Sequence, residues 1–166
     1  ESCRPDEAPR DGRTDRSPLL RPMLRAVTPV RSGALRRSDA TIRWAAFGEG
    51  ERTILLFPTW SIVHSDFWRE QVPQLGDRYS VLTFDGLGNG ASDRPTAPSM
   101  YADEAFALDA IAVMDAAGVD VAAAVSVSRG GSWQLLAAAT APNRMAACVF
   151  IAPSVPLAPM SPERTE

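Results

Sequence analysis

At 166 residues, with 22% charged and 45% hydrophobic residues, the chain has the make-up of one ordinary globular core. A formal net charge of −3 argues against nucleic acid as the main partner. No apolar run reaches the ~20 residues that a membrane-spanning helix needs.

Residues 1–30 are rich in Arg, Asp, Pro and Ser and lack periodicity, which predicts a disordered Arg/Pro-rich tail that buries too little apolar surface to offset its ordering entropy. The start shows no charged region followed by an apolar block, so no secretory signal is read and a cytoplasmic location is expected. Residues 31–48 are expected to hold two leading strands, the clearer being 41–47, with a turn at Gly48 to Gly50. Residues 53–57 form an apolar run of strand length ended by Pro58, as expected of a strand buried on both faces. A loop, a short helix or pair of turns over 66–75, and a second strand over 79–84 follow. The strand runs into a glycine-rich loop, residues 85–95, which lacks the Gly-Lys-Ser/Thr ending of a nucleotide P-loop. The expectation for Asp85 is that it holds this loop by accepting backbone N–H groups. Residues 101–118 read as a helix with Phe106, Ala110, Val113, Met114 and Ala117 on one face and Gly118 as its stop. After a strand over 121–127 comes a helix from Arg129 to about Thr140, ended by Pro142, and then a final apolar strand, 146–151. Cys3 and Cys148 are not expected to pair, and Cys148 is expected to be a small buried apolar residue.

The junction between the strand at 121–127 and the helix after it carries the chemistry. Ser126-x-Ser128-x-Gly130, followed by Gly131, is a slightly altered form of the G-x-S-x-G nucleophile elbow, a strand-turn-helix device that lifts a serine hydroxyl above the end of a parallel sheet. The turn is crowded, so the positions two before and two after the nucleophile must be small. Taken alone, the same residues also read as a turn in which Ser128 caps the helix with its side-chain oxygen. Ser126 is the runner-up nucleophile, expected to point away from the pocket.

Four motifs occur in order: Leu55-Leu56 to Pro58; Phe67-Trp68-x-x-Gln71-x-Pro73-x-Leu75; Phe84-Asp85-x-x-Gly88-x-Gly90-x-Ser92; and the elbow. Together they resemble the amino-terminal half of an α/β-hydrolase over residues 41–159, similar to soluble bacterial members that include esterases, C–C bond hydrolases and perhydrolases. Strands alternating with helices independently predict an α/β fold, a mostly parallel sheet with flanking helices. The resemblance divides the chain into the tail (1–30), a partial α/β-hydrolase domain (31–159) and the start of a missing cap or lid (160–166), so that a fragment truncated before the last strands is expected.

The resemblance implies a serine hydrolase of esterase or thioesterase type that transfers an acyl group to water. Ser128 would be the nucleophile, with the backbone N–H groups of Arg129 and Trp60 as the oxyanion hole. Trp60 follows Pro58-Thr59 where family members often carry His-Gly. Serine at this position argues against dehalogenase and epoxide hydrolase chemistry, where the resembling proteins use aspartate. A serine needs a base and a group to orient that base, which in this fold follow it as acid and then histidine. His64, the sole histidine, precedes the serine and reads instead as a helix-start residue beside Ser65 and Asp66. The fragment is therefore expected to be inactive. No metal or cofactor is implied, and the expected partner is a small ester-like substrate rather than nucleic acid or a membrane. The alternative is a non-catalytic α/β-hydrolase-like domain, sensing a small molecule or docking a partner beside a signalling module, favoured by the altered elbow and the missing His-Gly.

Overall fold

A six-stranded sheet organises the chain in the computed structural model, which describes residues 27–60 and 63–154. The first pair, β1 (Arg31–Arg37) and β2 (Ala40–Phe47), is an antiparallel hairpin turning at Ser38 and Asp39. Then come β3 (Thr53–Leu56), β4 (Ser80–Asp85), β5 (Ala122–Val127) and β6 (Met145–Ile151). The order across the sheet is β1-β2-β4-β3-β5-β6, antiparallel from β1 to β4 and parallel from β4 through β6. This is the predicted mostly parallel sheet, and its most apolar strand lies inside it: Ile54, Leu55 and Leu56 of β3 are all buried.

Helices cover both faces. Leu55, Leu82, Phe84, Ala122 and Ala124 turn toward α2 (Asp103–Ala116) and α3 (Gly130–Thr140), meeting Phe106, Ala110, Val113, Met114, Trp133 and Ala137. The alternate residues Ile54, Leu56 and Val81 pack with Trp68 and Val72 on the other face, the latter from α1 (Gln71–Gly76). The two-residue period of the strands assigns each side chain to its layer. Between Ala123 and Val127 this second face is only half-buried.

The predicted helix over 101–118 is shorter than its periodicity suggests. Ala102 is extended (ψ 150°), so residues Pro98–Tyr101 form a separate 3-10 turn and the α-helix starts at Asp103. Its end follows the expectation. Gly118 takes φ +68°, its N–H reaches the Asp115 carbonyl at 3.0 Å, and the Val119 N–H reaches Met114 at 2.8 Å, the paired closure that an αL residue permits. The segment at 66–75 splits into a 3-10 turn (Ser65–Trp68) and α1.

Cys148 corrects the sequence reading: it is exposed, not buried. It lies on β6, which pairs with β5 on one side and has no described strand on the other, so residues 146–151 are exposed despite their apolar character. An apolar run guarantees burial only where another layer covers it. The predicted tail falls outside the described residues up to position 26, as do Cys3 and the predicted cap start at 160–166; nearer the fold, the Val30 N–H donates to the Ala46 carbonyl at 2.9 Å. Among the described residues no helix is long and apolar enough to cross a membrane.

Candidate active site

Ser128 joins the end of β5 to the start of α3 with φ +52°, in the left-handed region that a side chain ordinarily avoids. Its backbone is held on three sides. The N–H donates to the Ile151 carbonyl at 3.0 Å, and the carbonyl accepts from Gly131 at 3.0 Å and Ser154 at 2.9 Å. The residue is half-buried, and no helix runs through it. The alternative of Ser128 as a helix cap is not what forms. Arg129 occupies the N-cap of α3, with no side-chain capping bond.

The small residues of the motif have visible tasks. A Cβ added at Gly130 would lie 2.5 Å from the Pro58 carbonyl oxygen, so glycine lets the loop after β3 press against the start of α3. Thr59 fastens that same loop to the elbow, its Oγ1 donating to the Val127 carbonyl at 3.0 Å. Ser126 is fully buried under α3, with an ideal Gly130 Cβ 3.4 Å from its own, and its Oγ has no partner among the described residues. Burial removes it as a rival to Ser128.

Trp60 follows in the loop, about half exposed at 53%. It forms an isolated antiparallel bridge with Val63, whose N–H donates to the Trp60 carbonyl at 3.2 Å. His64, next along, caps the 3-10 turn: its Nδ1 accepts from the Asp66 N–H at 3.3 Å. That is the helix-start role read from its neighbours. Asp85 organises the glycine loop as expected, with Oδ1 accepting from the Ser65 N–H at 2.8 Å and Oδ2 from Ala91 at 2.9 Å. Gly90, at φ +47°, has no room for a Cβ beside that carboxylate.

One group was not legible in the sequence. Arg129 Nη2 donates to both oxygens of Asp103, at 2.7 and 2.8 Å, and Trp133 Nε1 donates to Oδ1 of the same carboxylate at 2.8 Å. The Trp133 ring stacks on Phe106 with centroids 4.2 Å apart and planes 10° from parallel. These residues, with Trp60, Tyr101 and Ser154, line a cleft of about 420 Å³. Both residues expected to supply oxyanion donors therefore border one cavity; Ser128 is not among its lining residues but adjoins two of them, preceding Arg129 in the chain and accepting the Ser154 N–H at its carbonyl. Asp103 gave only a first-turn acid as its sequence signal.

A family model described as alpha/beta hydrolase fold matches residues 52–166. The chain belongs to that family. It is 30% identical over 97 residues to 3-oxoadipate enol-lactonase 2 of Acinetobacter baylyi, an alignment covering 58% of this chain and 36% of that protein. It is 37% identical over 84 residues to 2-heptyl-3-hydroxy-4-quinolone dioxygenase AqdC1 of Rhodococcus erythropolis, covering 51% and 29%. Among solved structures, a hydrolase from Pseudomonas aeruginosa superposes with a TM-score of 0.70 at 28% identity, over 78% of this chain and 49% of the other. The match thus spans about a third of the length of these curated relatives and half of the solved hydrolase.

Proposed function

We propose that this chain carries the nucleophile half of a serine hydrolase acting on a small ester, lactone or thioester. The observation behind this reading is the backbone of Ser128: a strained φ of +52°, kept by three backbone hydrogen bonds at the meeting of a core strand and a helix. Strain of this kind is retained where surrounding structure over-determines it, and sites of function are where it concentrates. In the reaction the Ser128 Oγ attacks the carbonyl carbon, its proton passes to a base, and the carbonyl oxygen becomes an anion facing the Arg129 N–H. Collapse of that intermediate expels the alcohol or thiol, which takes the proton, and water then releases the acid from the acyl-serine by the same steps.

The reading needs a base that His64 does not supply, because its Nδ1 is engaged in capping. It also assigns the second oxyanion donor to Trp60. In the loop that carries it, the Trp60 carbonyl is tied to the Val63 N–H at 3.2 Å, which leaves the Trp60 amide as the candidate donor. The second reading, a small-molecule sensing domain without turnover, is favoured by Ser126 in the elbow and by Pro58-Thr59 in place of His-Gly.

Fluorophosphonate labelling separates the two. In a longer polypeptide that contains this segment and supplies a base, the wild-type protein is expected to be labelled at Ser128 and Ser128→Ala to be unlabelled. Equal labelling of the two removes the nucleophile assignment, and no labelling of either favours the sensor. The 166-residue chain itself is expected to hydrolyse p-nitrophenyl acetate no faster than buffer. Turnover by that chain would make His64, the sole histidine, the candidate base.

A further inference from the structure

The cleft next to the elbow is lined by four aromatic side chains together with Ser154 and the ion pair of Arg129 with Asp103. Tyr101, Phe106, Trp133 and Trp60 contribute flat surface, with Phe106 and Trp133 stacked and 2% exposed, so they form a rigid floor rather than a mobile rim. Arg129 enters the same wall with its side chain 41% exposed. Asp103 takes only Nη2 of the guanidinium, leaving the Nε–H and Nη1–H groups without an acceptor among the described residues. Asp103 is itself anchored by Trp133 Nε1, so the arginine is held at one end and open at the other.

From this arrangement we infer that the cleft selects ligands that combine a flat apolar body with a carboxylate, the anion resting on the open edge of Arg129. The identification of such ligands as substrates rests on the proposed reading of Ser128. Three physical points lead to it. A hydrogen bond between a guanidinium and a carboxylate is shorter and stronger than one between neutral groups. A guanidinium already oriented by a carboxylate loses less rotamer freedom on binding than a free one. A volume of about 420 Å³ suits a molecule of one ring with a short substituent. Because residue 129 also lends its amide to the proposed oxyanion, the carboxylate recognised must sit within one arginine side chain of the reacting carbonyl. The substrate class is then an ester, lactone or thioester bearing a second, free acid group close by.

Two tryptophans of the cleft report binding directly, with no turnover required. Phenylacetate and its neutral isostere phenylacetamide are titrated into the 166-residue chain while tryptophan emission is followed. Phenylacetate is expected to bind at least about tenfold more tightly, the scale of one charge-assisted contact. Raising the salt concentration should shrink that preference, since the site is partly open to solvent. Arg129→Met should erase the ratio between the two ligands, whatever it does to either alone. Equal affinities in the wild-type chain overturn the inference without any variant, and so does a preference that survives Arg129→Met; neither result touches Ser128 labelling. Conversely, an Arg129-dependent preference alongside an unlabelled Ser128 upholds the anion site and ends the hydrolase reading.

Discussion

Ser128 occupies a conformation that costs a residue with a Cβ about 1–2 kcal/mol. Glycine carries no such penalty but loses more freedom on folding, so Ser128→Gly is expected to stabilise the chain by about 1 kcal/mol in urea unfolding. Ser128→Ala, which keeps the Cβ, should leave stability near that of the wild type. A glycine variant no more stable than the alanine one would mean that the elbow is relaxed in solution. The serine and its small neighbours were legible because a tight bend restricts residue size locally. The partnership of Arg129 with Asp103 was not, since the two are 26 positions apart and meet only when α2 and α3 lie side by side.

Between elements, the contact with the clearest electrostatic signature ties β1 to α2. Asp109, 1% exposed on α2, lies 3.0 Å from Arg37 Nη1 on β1, and its Oδ1 has no partner among the described residues. Burial outweighs the attraction of Arg37 and raises the Asp109 carboxyl from 3.8 to about 7. The folded chain then holds a proton that the unfolded chain has released between those values, so this residue's contribution to stability falls as pH rises from about 4 to 7. Replacing it by Asn removes the titration. The stability of Asp109→Asn relative to the wild type should climb between pH 4.5 and 7.5, read as the shift in urea midpoint; a difference independent of pH would show that Asp109 is ionised throughout. Helix and strand identities were legible from periodicity, and α2 ended where Gly118 predicted. The splitting of its first turn was missed, because Ala102 carries no breaking signal and turns extended only in the folded context.

At the scale of the molecule, β6 is the last strand of the sheet among the described residues, with Val149 and Ile151 each 47% exposed and Phe150 38% exposed. An open apolar edge is a template for pairing with another chain. The 166-residue chain is therefore expected to self-associate with rising concentration in sedimentation experiments. Val149→Lys, a charge on that edge, should shift it toward monomer; a wild-type chain that stays monomeric at high concentration would show the edge to be protected. The β6 run was correctly read as a strand, but the burial inferred for Cys148 was wrong, since apolar character reports which segments prefer burial and not whether a neighbour covers them.

By itself the sequence determined the local steps: which segments are strands, where glycine ends α2, which serine sits between small residues, and that strands alternate with helices in an α/β fold. These depend on interactions within a few residues or on patterns with a fixed period. The tertiary structure alone decided that Asp103 braces Arg129, that the aromatic floor and the arginine share a cleft, and that β6 is an edge among the described strands. Each of those depends on which surfaces meet after the chain has crossed from strand to helix and back, and short-range pattern carries no record of that.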